Sequence, residues 1–267
     1  MTAGRTFADK RDTRNDGMKA EHGDIEQTLV LIKPDALLYS LTGFIVERVS
    51  AVHNPVIAAL KVVRVTEELA REHYANIRGK SFYEATLRYI MGELHYPSQP
   101  EKRRVVAIVY EAADIVNRIK GYFGPTKPKD AKQLAKEKGV ITLRAQLGYM
   151  DFDVAQETLI DNAVHASENA AEAEREIKLW FEPGDFPEQH RFFDYVESEF
   201  HFYSSPRAVD GTYQLYRSRE PGCKGIIAPG TLVWQSDYEN LLLYRDNKGT
   251  PRVPLNSIIE KYLIKTR

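Results

Sequence analysis

Long apolar runs alternate with amphipathic stretches from residue 27 onward. Three runs, Thr28–Ile32, Val56–Val65 and Val105–Tyr110, have the length of a strand, and Asn162–Val164 is a shorter fourth one. Continuous apolar runs of this kind predict strands that are covered on both faces or lie centrally in a sheet. Between them, apolar residues recur every three to four positions, which predicts helices with one buried side. The patterned stretch is therefore expected to be a sheet packed against helices.

Capping and breaking residues delimit the predicted helices. Thr42 precedes the first helix and Asn54-Pro55 ends it; Thr66 caps a second, and Ser81 starts a third. A short helix is expected over Ala112–Ile119. The last one follows Ser167, with an inward stripe at Ala170, Ala173, Ile177 and Trp180. Two split strand–helix–strand units in this order predict a ferredoxin-like α+β fold, although the pattern alone leaves the strand pairing open.

Both ends of the chain depart from this pattern. Residues 1–26 are polar, densely charged with both signs and without the apolar core of a signal peptide, which predicts a flexible tail. Residues 186–267 are expected to form a small accessory domain of mixed α/β or β-rich structure, partly helical before Tyr203. Its predicted elements are strands at Leu232–Trp234 and Leu241–Tyr244, a turn at Asp246–Gly249, and a helix or strand over Val253–Ile264. The main domain is then expected to span residues 27–185.

Composition excludes several classes of protein. The net charge is −1 with well-mixed signs, so nucleic acid is not expected as a primary ligand. The chain has no apolar run of 18 residues, so no membrane span is expected. Its single cysteine, Cys223, cannot form an internal disulfide and fits a reducing, cytoplasmic location.

His165 is the candidate nucleophile. It ends the short fourth strand, with the hydroxyl of Ser167 two residues on and carboxylates along the next helix. Neighbours of this kind hold an imidazole in place, and a neutral imidazole is nucleophilic near neutral pH. The competing interpretation is a histidine that is only packed or capped. A second segment far upstream, Ile32-Lys33-Pro34-Asp35, favours the chemical interpretation.

Together these segments resemble the nucleoside diphosphate kinase family. The similarity rests on Ile32-Lys33-Pro34-Asp35, on Gly124-Pro125-Thr126-Lys127-Pro128, on Asn162 to Ser167, and on the helix end Leu179-Trp180-Phe181. It covers about residues 27 to 183, with insertions, and neither end. The resemblance implies a four-stranded antiparallel sheet. It also implies transfer of the γ-phosphate of a nucleoside triphosphate to a nucleoside diphosphate, by a ping-pong route through phosphorylated His165.

The resemblance further assigns site residues. As catalytic residues it implies His165, Lys33, Tyr74, and the pair Ser167 and Glu176 that would orient the histidine. As nucleotide-binding residues it implies Lys33, Thr126, Arg144 and Lys120 at the phosphates, Asn162 at the ribose, and Phe82 and Thr86 at the base. Mg²⁺ would be bound mainly through phosphate oxygens, so no protein metal ligand is expected. Taken singly, several of these have plainer interpretations, as a solvated Lys33, a surface Arg144, a turn at Thr126, a helix cap at Ser167 and a core Phe82.

The chain also departs from the family pattern. Ala36 and Ala166 stand where the family has glycine, whose backbone freedom alanine lacks, and Lys120 stands where it has a forked arginine. Insertions are expected at Glu93–Arg103, Lys129–Lys138 and Gly148–Thr158. A homo-oligomer is expected, although the insertion after Pro128 leaves the family's hexamer open. Two alternative functions remain: a weak or inactive nucleotide-binding or assembly module, and phosphotransfer from His165 to a protein. The accessory domain could dock on the core, cap the site or mediate oligomerisation.

Overall fold

The central element is a four-stranded antiparallel sheet. A computed structural model describes residues 24–147, 161–198, 203–204, 215–216, 227, 230–246 and 248–262. The strands of the sheet are β1 (Ile25–Ile32), β2 (Val56–Val63), β3 (Val105–Ala113) and β4 (Val164–Ala166). Their order is β2-β3-β1-β4, and every neighbouring pair is antiparallel. The ferredoxin-like α+β fold and the antiparallel sheet are therefore confirmed.

Eight α-helices surround this sheet in the part of the chain from residue 24 to residue 198 that the structure describes. They are α1 (Pro34–Leu38), α2 (Thr42–His53), α3 (Glu67–His73), α4 (Tyr83–Ile90), α5 (Ile115–Phe123), α6 (Pro128–Lys138), α7 (Leu143–Gln146) and α8 (Ala170–Trp180). Thr66 caps α3 as predicted, since its side chain accepts a hydrogen bond from the Leu69 amide.

Several predicted bounds are wrong. β4 spans Val164–Ala166 rather than Asn162–Val164, so His165 lies within the strand and not at its end. β2 ends at Val63 rather than Val65, and α4 begins at Tyr83 rather than Ser81. β3 continues to Ala113, so α5 begins three residues later than expected. Asn169, not Ser167, caps α8 and accepts from the Glu172 amide.

The sheet is covered on both faces, because alternate residues of each strand point to opposite sides. Leu29 and Leu31 of β1 pack in one apolar cluster with Ile177 and Trp180 of α8. Val30 and Ile32 pack in a second cluster on the other face, against residues of α2 and α5. Burial on both faces explains why β1 is a continuous apolar run rather than an alternating one.

The predicted insertions have different outcomes. Lys129–Lys138 is almost all of helix α6, which Gly139 ends in a left-handed conformation with φ +67°. Glu93–Arg103 includes a single 3₁₀ turn at Pro100–Lys102. Gly148–Thr158 lies outside the described residues.

The described C-terminal residues form short strands and two helices. These elements are β5 (Tyr195–Glu197), β6 (Tyr203–Ser204), β7 (Leu215–Tyr216), β8 (Leu232–Trp234), α9 (Gln235–Asp246) and α10 (Leu255–Tyr262). β5 pairs with β8 and β6 with β7. The strand predicted at Leu232–Trp234 is confirmed, but the one predicted at Leu241–Tyr244 is wrong, because that run lies within α9. A short apolar run does not separate a strand from a buried helix segment. The segment over Val253–Ile264, left open between helix and strand, contains α10.

The C-terminal region packs on the helices that cover one face of the sheet, where α10 contacts α3 and α8. Trp234 is fully buried, and its indole N–H donates to the carbonyl of Phe181 at 2.6 Å. Phe186 and Phe193 stack around the same indole. Leu241 and Ile258 belong to the apolar cluster that contains Leu29 and Leu31. One core therefore joins the two regions.

Among the described residues, no helix is both long enough and apolar enough to span a membrane.

Candidate active site

A cavity of about 780 Å³ lies between the end of β1, strand β4, the second half of α5 and the first turns of α8. It brings together most of the residues predicted from sequence. Those that line it are Lys33, Tyr74, Lys120, Thr126, Arg144, Asn162, His165 and Glu176. Ser167 lies beneath the lining, and Phe82 and Thr86 are not among the lining residues. The cavity therefore combines a histidine, a carboxylate and three cations.

His165 is held by its strand and by a carboxylate. β4 pairs with β1 so that His165 lies opposite Leu31. Its Nε2 atom lies 3.0 and 3.1 Å from the two carboxylate oxygens of Glu176. A neutral imidazole has one donor and one acceptor nitrogen, and a carboxylate can only accept. The proton is therefore on Nε2, and Nδ1 keeps the free lone pair.

Glu176 is itself fixed in place and stays ionised. The hydroxyl of Ser167 donates to its Oε2 at 2.7 Å, and the Leu29 amide donates to the Ser167 hydroxyl at 3.2 Å. Burial alone would raise the pKa of Glu176. Attraction to His165 and hydrogen bonds from His165 and Ser167 outweigh burial and lower the pKa to about 2. The chain from β1 through Ser167 and Glu176 thus orients the histidine.

A second buried histidine, His73 of α3, contacts His165. The two rings meet edge to face, with centroids 4.5 Å apart. The indole N–H of Trp180 donates to Nδ1 of His73 at 3.1 Å. Burial, reinforced by the nearby His165, lowers the pKa of His73 to about 3, so this ring is neutral. Sequence reasoning placed His73 only beside Tyr74 and gave Trp180 only a packing role, because their contact depends on how α3 and α8 pack.

Lys33 and Asn162 form a buried polar pair at the floor of the cavity. The Lys33 ammonium donates to Oδ1 of Asn162 at 2.7 Å. Burial, and next the charge of Arg144, lower the pKa of Lys33 to about 7. The Asn162 amide nitrogen also donates to the carbonyl of Thr126 at 3.2 Å. Asn162 therefore links the end of β1 to the loop that carries Thr126.

Arg144 is more engaged with the protein than the sequence indicated. Its guanidinium donates to the carbonyls of Gly124, Asn162 and Val164, at 2.6, 3.2 and 2.8 Å. Three of its five N–H donors are thus used to hold two loops together. One unused N–H donor therefore remains on each terminal nitrogen of Arg144. Arg144 both fixes the cavity wall and faces the cavity.

The remaining lining residues differ in exposure. Burial, with the charges of Glu176 and Asp35, raises the pKa of the Tyr74 phenol, which therefore stays protonated and able to donate. Lys120 is about half exposed and forms an ion pair with Glu168. Its ammonium is the most accessible of the three cations that line the cavity.

Comparison with known proteins decides the family. The family model described as nucleoside diphosphate kinase matches residues 26–186. The chain belongs to the nucleoside diphosphate kinase family. It is 34% identical over 176 residues to a nucleoside diphosphate kinase of Pyrococcus furiosus, covering 66% of this chain and 95% of that protein. It is also 34% identical over 159 residues to one of Desulfitobacterium hafniense, covering 60% and 89%. Among solved structures, the Aquifex aeolicus nucleoside diphosphate kinase matches with a TM-score of 0.50 and 28% identity, covering 61% of this chain and all of that one.

The two alanines that replace family glycines fit their positions without backbone strain. Ala36 lies in helix α1 and Ala166 in strand β4, and neither has a positive φ. In this chain, neither position therefore requires the backbone freedom of glycine. The site residue with a strained backbone is instead Ala163, with φ +63°. Its N–H donates to Asp35 and its carbonyl accepts from the Lys33 amide, both at 2.8 Å, which holds this conformation beside Asn162.

The two residues that the family resemblance places at the base lie on another segment. Phe82 directly precedes α4 and is 37% exposed. The hydroxyl of Thr86 donates back to the Phe82 carbonyl at 2.9 Å, within the first turn of that helix. Their roles stay predictions, because the cavity around His165 does not include them.

Metal-ligating side chains also meet at this site. In the part of the chain that the structure describes, His73, His165 and Glu176 place one donor atom each within 4.8 Å of one another. His73 and Glu176 already use ligand atoms in hydrogen bonds, since His73 accepts from Trp180 and Glu176 accepts from Ser167 and His165. A tightly bound protein metal would have to displace these bonds. The lining suits a metal carried in by phosphates better than one held by side chains.

Proposed function

We propose that the protein is a nucleoside diphosphate kinase that moves the γ-phosphoryl group of a nucleoside triphosphate to a nucleoside diphosphate through His165. The observation that carries this proposal is the Nε2 contact with Glu176, which leaves Nδ1 as the nucleophilic atom in a cavity that also contains Lys33 and Arg144. Packing alone does not explain why such a dispersed set of residues converges on one histidine. Family membership supports the same reaction.

In the first half-reaction, the Nδ1 lone pair attacks the γ-phosphorus. The new N–P bond forms as the bond to the β,γ-bridging oxygen breaks, and the nucleoside diphosphate leaves. The second half-reaction reverses these steps with a different diphosphate as the attacking group. A single site then serves both nucleotides, so ping-pong kinetics are expected.

The protein's contribution is positioning and compensation of charge. A phosphorylated imidazole that keeps its Nε2 proton carries positive charge on the ring, which the Glu176 carboxylate at 3.0 Å stabilises. We assign Lys33, Lys120, Thr126 and Arg144 to the phosphates, Asn162 to the ribose, Tyr74 to a donor beside the histidine, and Phe82 and Thr86 to the base. Stacking on an exposed phenyl ring tolerates different bases.

Mg²⁺ is the metal ion we propose for this reaction, as the family resemblance implies. The lining fits this ion when it is bound through phosphate oxygens and water, which is usual for Mg²⁺. When bound, the ion neutralises phosphate charge. Glu168 and Glu172 are the lining carboxylates able to accept hydrogen bonds from its water ligands.

Labelling without an acceptor tests the proposal directly. We expect incubation with γ-labelled ATP and Mg²⁺ to give a label on the protein that is labile in acid and stable in base. His165→Ala should lose the label completely, because the nucleophile is gone. Ser167→Ala should keep it at a lower rate, since Glu176 then loses one of the bonds that hold it.

A chase with unlabelled acceptor separates the alternatives. Movement of the label onto GDP or CDP supports nucleoside diphosphate kinase activity. A label that moves to a protein but not to a nucleotide supports phosphotransfer to proteins. Binding of nucleotide without any label would support an inactive binding module and would contradict the proposal.

We further propose a homo-oligomer that assembles through strand β2. This strand is at the edge of the sheet and exposes large apolar side chains, with Leu60 at 51% and Val62 at 61% exposure. An exposed apolar edge strand is prone to pair with another strand, and a second copy offers the same edge in antiparallel orientation. The cytoplasmic location expected from the single cysteine stays a prediction.

A charged substitution in β2 tests this interface. We expect Val62→Lys to lower the mass measured by sedimentation velocity, because a buried lysine without a partner opposes association. Ile141→Lys is the matched control, since Ile141 is equally apolar, 67% exposed and outside β2. Equal masses for wild type and Val62→Lys would contradict an interface at this edge.

A further inference from the structure

A second cavity, of about 430 Å³, lies between α8 and the C-terminal helices α9 and α10. We name it the C-terminal cavity. Its lining includes Arg175 and Lys178 from α8 and Ser257 and Lys261 from α10. Asn76 and Glu172 line both this cavity and the catalytic one, so the two are neighbours. The proposed reaction has no use for this second space, whose volume is within the range of small-molecule sites.

The lining of the C-terminal cavity is positively charged overall. Four cationic side chains, Arg175, Lys178, Arg252 and Lys261, face three carboxylates, Glu72, Glu172 and Asp237. The carboxylates already have partners: Glu172 pairs with Arg175 at 2.8 Å, Asp237 with Lys261 at 2.5 Å, and Glu72 with Arg78 at 3.8 Å. Each carboxylate of the lining is therefore paired with a cation and would repel a bound anion only weakly.

Two residues of the lining have side-chain donors without a partner among the described residues. Ser257 is only 6% exposed, and its hydroxyl makes no hydrogen bond within the described part of the chain. A buried hydroxyl without a partner is costly, and Ser257 is one of the residues that line the cavity. Arg252 is exposed and lines the same cavity. Its backbone N–H is bonded to Asn240, whereas its guanidinium forms no ion pair with any described residue.

We propose that the C-terminal cavity is a second ligand site that binds a phosphate group, held by the Arg252 guanidinium and the Ser257 hydroxyl. A guanidinium offers paired donors that match phosphate oxygens, and a hydroxyl can donate to a further oxygen. The net positive lining favours an anion over a neutral ligand. The phosphate group can belong to free phosphate or to a small organic ester. This site does not depend on His165 or on the proposed kinase reaction.

The side-chain Nε–Hε signals of arginine, recorded by ¹H–¹⁵N NMR on the full chain, test the site directly. Inorganic phosphate and ribose 5-phosphate serve as probes, and ribose without phosphate is the neutral control. We expect a saturable shift of the Arg252 signal, which Arg252→Gln identifies by its disappearance. A stronger effect of ribose 5-phosphate would indicate an organic ester as the ligand, and equal effects would indicate free phosphate.

Ser257→Ala keeps the test independent of folding. This change removes a buried hydroxyl without a partner, so the stability of the free protein should not fall. Phosphate affinity should fall about tenfold, since a hydrogen bond to a charged group is lost. Arg245, on α9 and paired with Asp246, reports non-specific ionic effects. Parallel shifts of Arg245 and Arg252, an equal response to ribose, or unchanged affinity in Ser257→Ala would overturn the proposal.

Discussion

The Nε2 atom of His165 donates its proton to Glu176, so the reactivity of the imidazole depends on Nδ1. Glu176 fixes Nε2, Ser167 fixes Glu176, and the backbone of β1 fixes Ser167. The His73 ring limits rotation from the side, and Trp180 holds that ring in turn. Each link removes a rotational freedom that a productive attack would otherwise have to restrict.

Lys33 gives a prediction about protons. Burial and the charge of Arg144 lower its pKa to about 7, so much of it is neutral at pH 8. A phosphate group beside the ammonium favours the charged form, so nucleotide binding at pH 8 should take up close to one proton. Below about pH 6, Lys33 is already charged and the uptake should vanish. Calorimetry in buffers of different ionisation enthalpy measures this uptake.

Two variants control the experiment on Lys33. Lys33→Met should abolish the proton uptake at pH 8, because the titrating group is gone. Lys120→Met should retain it, since the Lys120 ammonium is exposed and paired with Glu168 rather than buried. Uptake that persists in Lys33→Met would assign the proton to another group.

At the residue level, the sequence predicted the side chains that touch the cavity better than those that hold them. Lys33 directly follows β1, Asn162 precedes β4 and His165 lies within it. All three carry recognisable chemistry next to a strand that the sequence pattern indicates, so their positions could be expected. The hydrogen bond between Trp180 and His73 joins residues 107 positions apart and exists only because α8 packs on α3. No local pattern indicates such a contact. The use of Arg144 on three carbonyls was missed for the same reason.

At the level of elements, the loop before α6 and the start of α7 are joined at Gly124. This glycine has φ +75°, and a Cβ atom built there would lie 2.6 Å from the Thr142 side chain. Thr142 caps α7, the helix of Arg144, and the Gly124 carbonyl accepts from Arg144. A change at Gly124 would therefore shift Arg144, which lines the cavity around His165.

Gly124→Ala should both destabilise the protein and slow the labelling of His165. Gly124 has φ +75° and ψ −170°, a conformation that is essentially restricted to glycine and costs an alanine about 1–3 kcal/mol, and the overlap with Thr142 adds to that cost. Gly139→Ala is the control, because Gly139 also has a positive φ but lies in the left-handed region, with φ +67° and ψ 11°, where alanine costs about 1–2 kcal/mol, and it has open space around it. It should cost only the backbone term and leave labelling unchanged. Urea unfolding and the rate of acid-labile labelling check both variants, and identical behaviour would contradict the role of Thr142.

Whether an element is a strand or a helix could be predicted where the length of its apolar run and its burial indicate the same structure. The runs in β1 and β3 are apolar throughout because both faces of the sheet are covered. The run Leu241–Tyr244 misled because four apolar residues fit a strand as well as one turn of a partly buried helix. Its place in α9 depends on packing with α10, which is encoded in residues further along the chain.

For the whole molecule, the main question is whether the C-terminal region folds together with the kinase domain, which is residues 26–186 of the family match. Leu241, Ile258 and Tyr262 belong to the same apolar cluster as Leu31 and Ile177. Trp234 donates to the Phe181 carbonyl at the end of the kinase domain. Independent domains meet through smaller and more polar interfaces than this shared core. A boundary at residue 185, as predicted from the sequence, would separate residues that pack together.

The two tryptophans of the chain can test this directly. In Trp180→Phe the remaining fluorescence comes from Trp234 in the C-terminal region, and in Trp234→Phe it comes from Trp180 in α8. Within each variant we expect fluorescence and far-UV circular dichroism to give the same urea midpoint, because one cooperative core unfolds as a unit. If Trp234 fluorescence changed at lower urea than the circular dichroism of Trp180→Phe, the C-terminal region would unfold separately. In that case the kinase domain would not need the shared core to stay folded.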